Sequence, residues 1–101
     1  MRKKENHSPI CNYSDVLHAM QSRGFKETSW KKGYVDFRRY HLYITDHVIF
    51  RQIDENRIQL EDAHEEGGMH SHFKSKKLTQ EIRALLLKLG SIKHMADLHT
   101  V

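Results

Sequence analysis

At 101 residues, with 38% hydrophobic and 30% charged side chains, the chain has enough apolar content to fold but is too short to divide into two cores. Its longest apolar run, Ala84 to Leu87, is far below the roughly 20 residues of a membrane helix, and Asn6, His7, Ser8 and Pro9 stand where a secretory leader would be apolar. The lone Cys11 forms no internal disulfide and suits a reducing compartment, so a cytoplasmic protein is expected.

The formal charge of +4 is unevenly spread. Residues 1 to 53 carry ten Lys or Arg against five Asp or Glu, residues 54 to 66 one against six, and residues 74 to 93 six against one. An acidic block between basic flanks suits a protein that meets an anionic partner on one surface.

In chain order, residues 1 to 12 lack periodicity and hold the only proline, which predicts a flexible tail. A short helix follows, with Ser14 as its N-cap, Val16, Leu17 and Met20 on one face, and Gly24 as its stop. Aromatic and β-branched residues then predict a strand from Phe25 to Trp30, a turn at Lys31, Lys32 and Gly33, and a further strand run from Tyr34. Val35 and Phe37 fall on one parity and Leu42 and Ile44 on the other. Burying all four requires a break within Arg38 to His41.

Asp46 and His47 read as a turn before a strand from Val48 to Ile53. Asp54, Glu55 and Asn56 read as a hairpin turn before Arg57 to Glu61. The run from Glu61 through Gly67 and Gly68 reads as a loop, and Met69 to Phe73 as one more edge strand. Ser75 caps a helix in which Leu78, Ile82, Leu85, Leu86 and Leu89 form an apolar stripe, with Gly90 as its terminator. The expected fold is α+β: an N-terminal helix, a four- to five-stranded antiparallel sheet, and an amphipathic C-terminal helix packed on the sheet. The domain spans 13–91, and 92–101 form a C-terminal tail.

Three constellations bear on chemistry. Basic and aromatic residues interleave from Trp30 to Tyr43, and Trp30, Lys31, Lys32, Arg38, Arg39, Tyr40 and His41 are candidates to neutralise phosphates and stack on bases. Ordinary sheet packing competes for the same tyrosines. Lys74, Lys76 and Lys77 open the last helix, where they oppose its dipole and suit an incoming anion. Asp54, Glu55, Glu61, Asp62, Glu65 and Glu66 form an acidic set that suits a basic protein partner.

Nine histidines raise the question of a metal, with His64, His70 and His72 beside the acidic run as the best set. Their spacing matches no specific site and there is no cysteine pair, HExxH or EF-hand loop, so neither a native metal nor another cofactor is expected. No GxSxG turn, phosphate-binding glycine loop or dinucleotide fingerprint occurs either. His41 beside Arg38, Arg39 and Tyr40 is the one candidate for acid–base cleavage of RNA.

The order helix, strands, helix, with Ser75, Lys76, Lys77 and Leu78 opening the last helix, resembles double-stranded-RNA-binding domains and small toxin ribonucleases of that topology. The chain departs from them in lacking a Gly-Pro turn between the first strands and a Gly-Ser-His-type catalytic turn, and in the extra hairpin at Asp54 to Asn56. The leading expectation is a non-enzymatic binding or regulatory protein that engages an anionic macromolecule, nucleic acid first, through a basic and aromatic sheet surface. A protein-binding inhibitor or adaptor of the mobile-element or toxin-system type, using residues 54–66, comes second. A histidine-dependent ribonuclease comes third.

Overall fold

A computed structural model describes residues 8–28, 31–68 and 72–99, the side chains of 72 and 91–99 excepted. Strand β1 (Ile10–Asn12) leads directly into helix α1 (Tyr13–Ser22). The helix is capped by Asn12, whose side chain accepts the Asp15 N–H at 3.1 Å. At its other end Gly24 takes φ +89°, and the Gly24 and Phe25 N–H groups return to the Gln21 and Met20 carbonyls at 3.0 Å. That pair of bonds is a Schellman stop, closed by Phe25 joining Met20 in the core.

Strands β2 (Lys26–Thr28), β3 (Tyr34–Tyr40), β4 (Ile44–Gln52), β5 (Arg57–Gly67) and β6 (His72–Lys74) follow, and helix α2 (Lys76–His99) ends the chain. The sheet is antiparallel in the order β1-β5-β4-β3-β2. The short strand β6 shares an edge of β5 with β1 and pairs near the opposite end of it. Val35, Phe37, Val48, Phe50, Ile58, Leu60 and Ala63 alternate onto one sheet face. Val16 and Met20 of α1 and Leu78, Ile82, Leu85 and Leu86 of α2 cover them. The result is two layers, with helices on one face of an α+β sheet. Among the described residues no helix is long and apolar enough to cross a membrane.

The stripe on α2 and its Ser75 cap match expectation: Leu78, Ile82, Leu85 and Leu86 are buried, Leu89 packs against them, and Ser75 Oγ accepts the Leu78 N–H at 3.1 Å. Six details differ. The sheet has six strands, because residues 10–12, expected in the tail, pair with 57–59 of β5 and place Cys11 in the core. The α1 cap is Asn12, two residues before Ser14. Helix α2 runs through Gly90, which keeps a negative φ; an interior glycine costs a helix only about 1 kcal/mol and is no stop without a left-handed turn. The break after β3 lies at His41 to Tyr43, where the His41 N–H meets the Ile44 carbonyl at 2.8 Å. Leu42 and Ile44 beside it are exposed.

Strand β4 begins at Ile44, so Asp46 and His47 lie inside it, both buried. Strand β5 continues to Gly67, so the acidic run is a strand and not a loop. The reason is common to both. Across the sheet Asp46 meets Arg39, His47 meets Asp36 and Glu66, Glu66 meets Arg38 and Glu61 meets Arg51, and that compensation replaces water.

Candidate functional site

The turn between β3 and β4 lies beside the first turn of α2. Between them is a cleft of about 240 Å³ lined by Arg39, His41, Asp46, Glu65, Ser75, Lys77, Leu78 and Glu81. Period-2 alternation puts Arg39 and Asp46, which are cross-strand partners, on the helix side of the sheet. Its floor is an ion-pair cluster. Arg39 donates from Nε to Asp46 at 2.9 Å and from its two terminal nitrogens to Glu81 at 3.1 and 3.0 Å, and it lies 4.3 Å from the centre of the Phe25 ring. The Glu81 hydrogen bonds, ahead of the opposing effect of burial and the Asp46 bond, hold Arg39 still more firmly protonated. The same bonds to Arg39 keep the Glu81 carboxyl below its usual range, against its partial burial. His41 Nε2 meets Asp46 Oδ2 at 2.8 Å with half of its side chain exposed.

Around the β3–β4 turn, Tyr40, Leu42 and Tyr43 are 61%, 86% and 82% exposed, rings and isobutyl group facing water. Lys76 and Lys77 are exposed on the first turn of α2, and Lys74 is exposed just before its cap. None of the three lysines forms an ion pair among the described residues.

The expected basic and aromatic set is therefore divided. Tyr40, His41, Lys76 and Lys77 gather at this end, with Lys74 close in sequence. Lys31 and Lys32 lie in the β2–β3 turn, at the other end of β3, where the Lys31 ammonium sits 5.3 Å from the centre of the Tyr34 ring. Arg38 and Arg39 are adjacent in a strand and so face opposite sides. Arg38 joins Thr28, Asp36 and Glu66 on the face away from the helices. Trp30 and His70 lie outside the described residues.

The acidic set is divided too. Asp54 and Glu55 occupy the β4–β5 turn, where Arg57 pairs with Asp54 at 2.6 Å. Hydrogen bonding from Arg57, then from the Asn56 N–H, lowers the Asp54 pKa. Glu61 is the extra residue of a bulge opposite Ile49 and Phe50. Asp62 and Glu66 alternate with His64 on the face away from the helices, while Glu65 lines the cleft. Tyr43 closes the interleaved basic and aromatic run and, like Tyr40, is exposed. Sequence reasoning missed Asp46 because aspartate usually signals a turn. The chain matches no protein-family model, no curated protein and no solved structure.

Proposed function

We propose that this small protein is a non-enzymatic binding protein for an anionic macromolecule, single-stranded nucleic acid, held where the β3–β4 turn meets the start of α2. The observation that carries this reading is the exposure of Tyr40 and Tyr43 at the end of the sheet where His41 and Lys77 share a cleft, together with Lys74, Lys76 and Lys77, which have no carboxylate partner among the described residues. Exposed rings bury little surface in the folded protein and stack on any unpaired base. Lys74, Lys76 and Lys77 sit where the helix dipole is also positive, so each is better used by a phosphate than by the fold. Arg39 has another task, since Asp46 and Glu81 take its donors.

Affinity for a fluorescent 20-nucleotide DNA or RNA strand, read by anisotropy across a salt series, is the test. Three phosphate contacts give a log–log slope of about −2. Removing both rings by Tyr40→Ala and Tyr43→Ala weakens binding about tenfold or more while leaving the slope in place. A folded wild-type protein that binds no strand at low salt overturns the reading. RNA cleavage that His41→Ala abolishes replaces it with the nuclease, for which the His41–Asp46 pair at the cleft is the specific observation.

A further inference from the structure

On the face away from the helices, strand pairing builds a second site that the sequence order hides. His47 of β4 and His64 of β5 are direct cross-strand partners, with ring centroids 5.1 Å apart, and Glu66 lies two residues on from His64 on the same face. His47 Nδ1 and His64 Nε2 converge on one oxygen, Glu66 Oε2, at 2.8 and 2.9 Å. The far nitrogens are each held by another carboxylate: His47 Nε2 by Asp36 Oδ2 at 2.9 Å, and His64 Nδ1 by Asp62 Oδ2 at 2.9 Å. We propose that His47, His64 and Glu66 bind a divalent transition-metal ion of the zinc class.

Four features carry this. The three donor atoms lie within 4.8 Å of one another, and zinc with ligand bonds of about 2.0–2.1 Å needs donor separations near 3.3 Å, so the two nitrogen–oxygen separations of 2.8 and 2.9 Å widen by about 0.4–0.5 Å to admit it. Two imidazoles, each fixed by a carboxylate on its outer nitrogen, are the arrangement that orients metal-ligating histidines and raises their basicity. The charge has the right sense. Asp36, Asp62 and Glu66 place three carboxylates around the two rings, with Arg38 beside Asp36 and Glu66.

The fourth feature is burial. Asp36 is fully buried, and while its Oδ2 takes bonds from Thr28, Arg38 and His47, its Oδ1 accepts none. Asp36 thereby fixes the His47 ring from its outer nitrogen, leaving Nδ1 turned toward His64 and Glu66. Mixed nitrogen and oxygen donors select zinc, cobalt, nickel or copper over magnesium or calcium, which prefer oxygen alone.

Tag-free wild-type protein is titrated with Zn²⁺ by calorimetry and with Co²⁺ by visible absorption. One ion per chain and d–d bands that Zn²⁺ removes are expected. In a nitrogen-15 imidazole spectrum the Zn²⁺-dependent shifts fall on His47 Nδ1 and His64 Nε2. That measurement uses the wild-type chain and holds even where a variant fails to fold. Glu66→Gln and His64→Gln each lower affinity about 100-fold, and Asp62→Asn, which touches only the far nitrogen of His64, lowers it about 10- to 100-fold. Failure of the folded protein to bind either ion overturns the site. So does binding that survives both Glu66→Gln and His64→Gln, or shifts confined to other histidines.

Discussion

Asp36, Asp46 and His47 are polar, and each is less than 4% exposed. Burial of such groups costs several kcal/mol without partners, so their positions are dictated by what they meet: Arg38 and His47 for Asp36, Arg39 and His41 for Asp46, Asp36 and Glu66 for His47. Glu81 shows how such a pair responds to pH. Its folded pKa is lowered from the model-compound 4.5, with the Arg39 hydrogen bonds as the largest cause. A lowered carboxyl pKa adds stability that is fully present above the unfolded value and is lost as pH falls through the folded one. Glu81→Gln is therefore expected to lose about 1–2 kcal/mol at pH 7, a modest figure because the pair is part-exposed, and the gap from wild type should narrow as pH falls below 4.5 toward the lowered folded pKa. Urea unfolding of both proteins at pH 7 and pH 3 measures it; an equal gap at both values contradicts the assignment.

Elements were legible in the sequence where periodicity alone decides them. The stripe from Leu78 to Leu89 recurs at helical spacing, and the structure buries it against the sheet. Leu86 is fully buried, so Leu86→Ala should cost about 2–5 kcal/mol, and a loss below about 0.5 kcal/mol in urea unfolding would place the stripe on the wrong face. The parity argument required a break within Arg38 to His41, and the break lies at His41 to Tyr43; the argument assumed that apolar means buried, and Leu42 in the turn and Ile44 at the start of β4 face water. Strands β4 and β5 were less legible because Asp46, His47 and the run from Asp62 to Glu66 read as turn and loop. Their strand signal is alternation, Asp62, His64 and Glu66 against Ala63 and Glu65, and it becomes readable only when their partners on β3 and β4 are known. The candidate metal site was only partly visible: the best sequence set was His64, His70 and His72 beside Glu61, Asp62, Glu65 and Glu66, with no native metal expected, and pairing register brings His47 to His64.

At the scale of the whole molecule, the two ends of the sheet differ in how their charge is used. Strand β3 has seven residues and separates the Lys31–Lys32 turn from the His41–Tyr43 turn by roughly 20 Å. That exceeds the Debye length of about 8 Å at physiological salt, so the ends act independently on a polyanion. The Gln52 N–H bonds to the Gly33 carbonyl at 2.9 Å, which sets the Lys31–Lys32 turn beside the β4 end that leads into Asp54 and Glu55, where opposite charges offset one another. At the other end Lys77 shares the cleft with His41, whose chain neighbour Tyr40 is exposed. Equal losses of charge should therefore have unequal effects. Lys76→Ala with Lys77→Ala should flatten the salt slope of single-strand binding by about 1.4, two contacts at 0.7 each, whereas Lys31→Ala with Lys32→Ala should leave it within about 0.3. Both pairs are exposed, so folding is expected to be unchanged and circular dichroism checks it. Equal flattening by the two double variants would mean that net charge alone drives binding, and the turn-and-helix surface would then have no special claim on the strand.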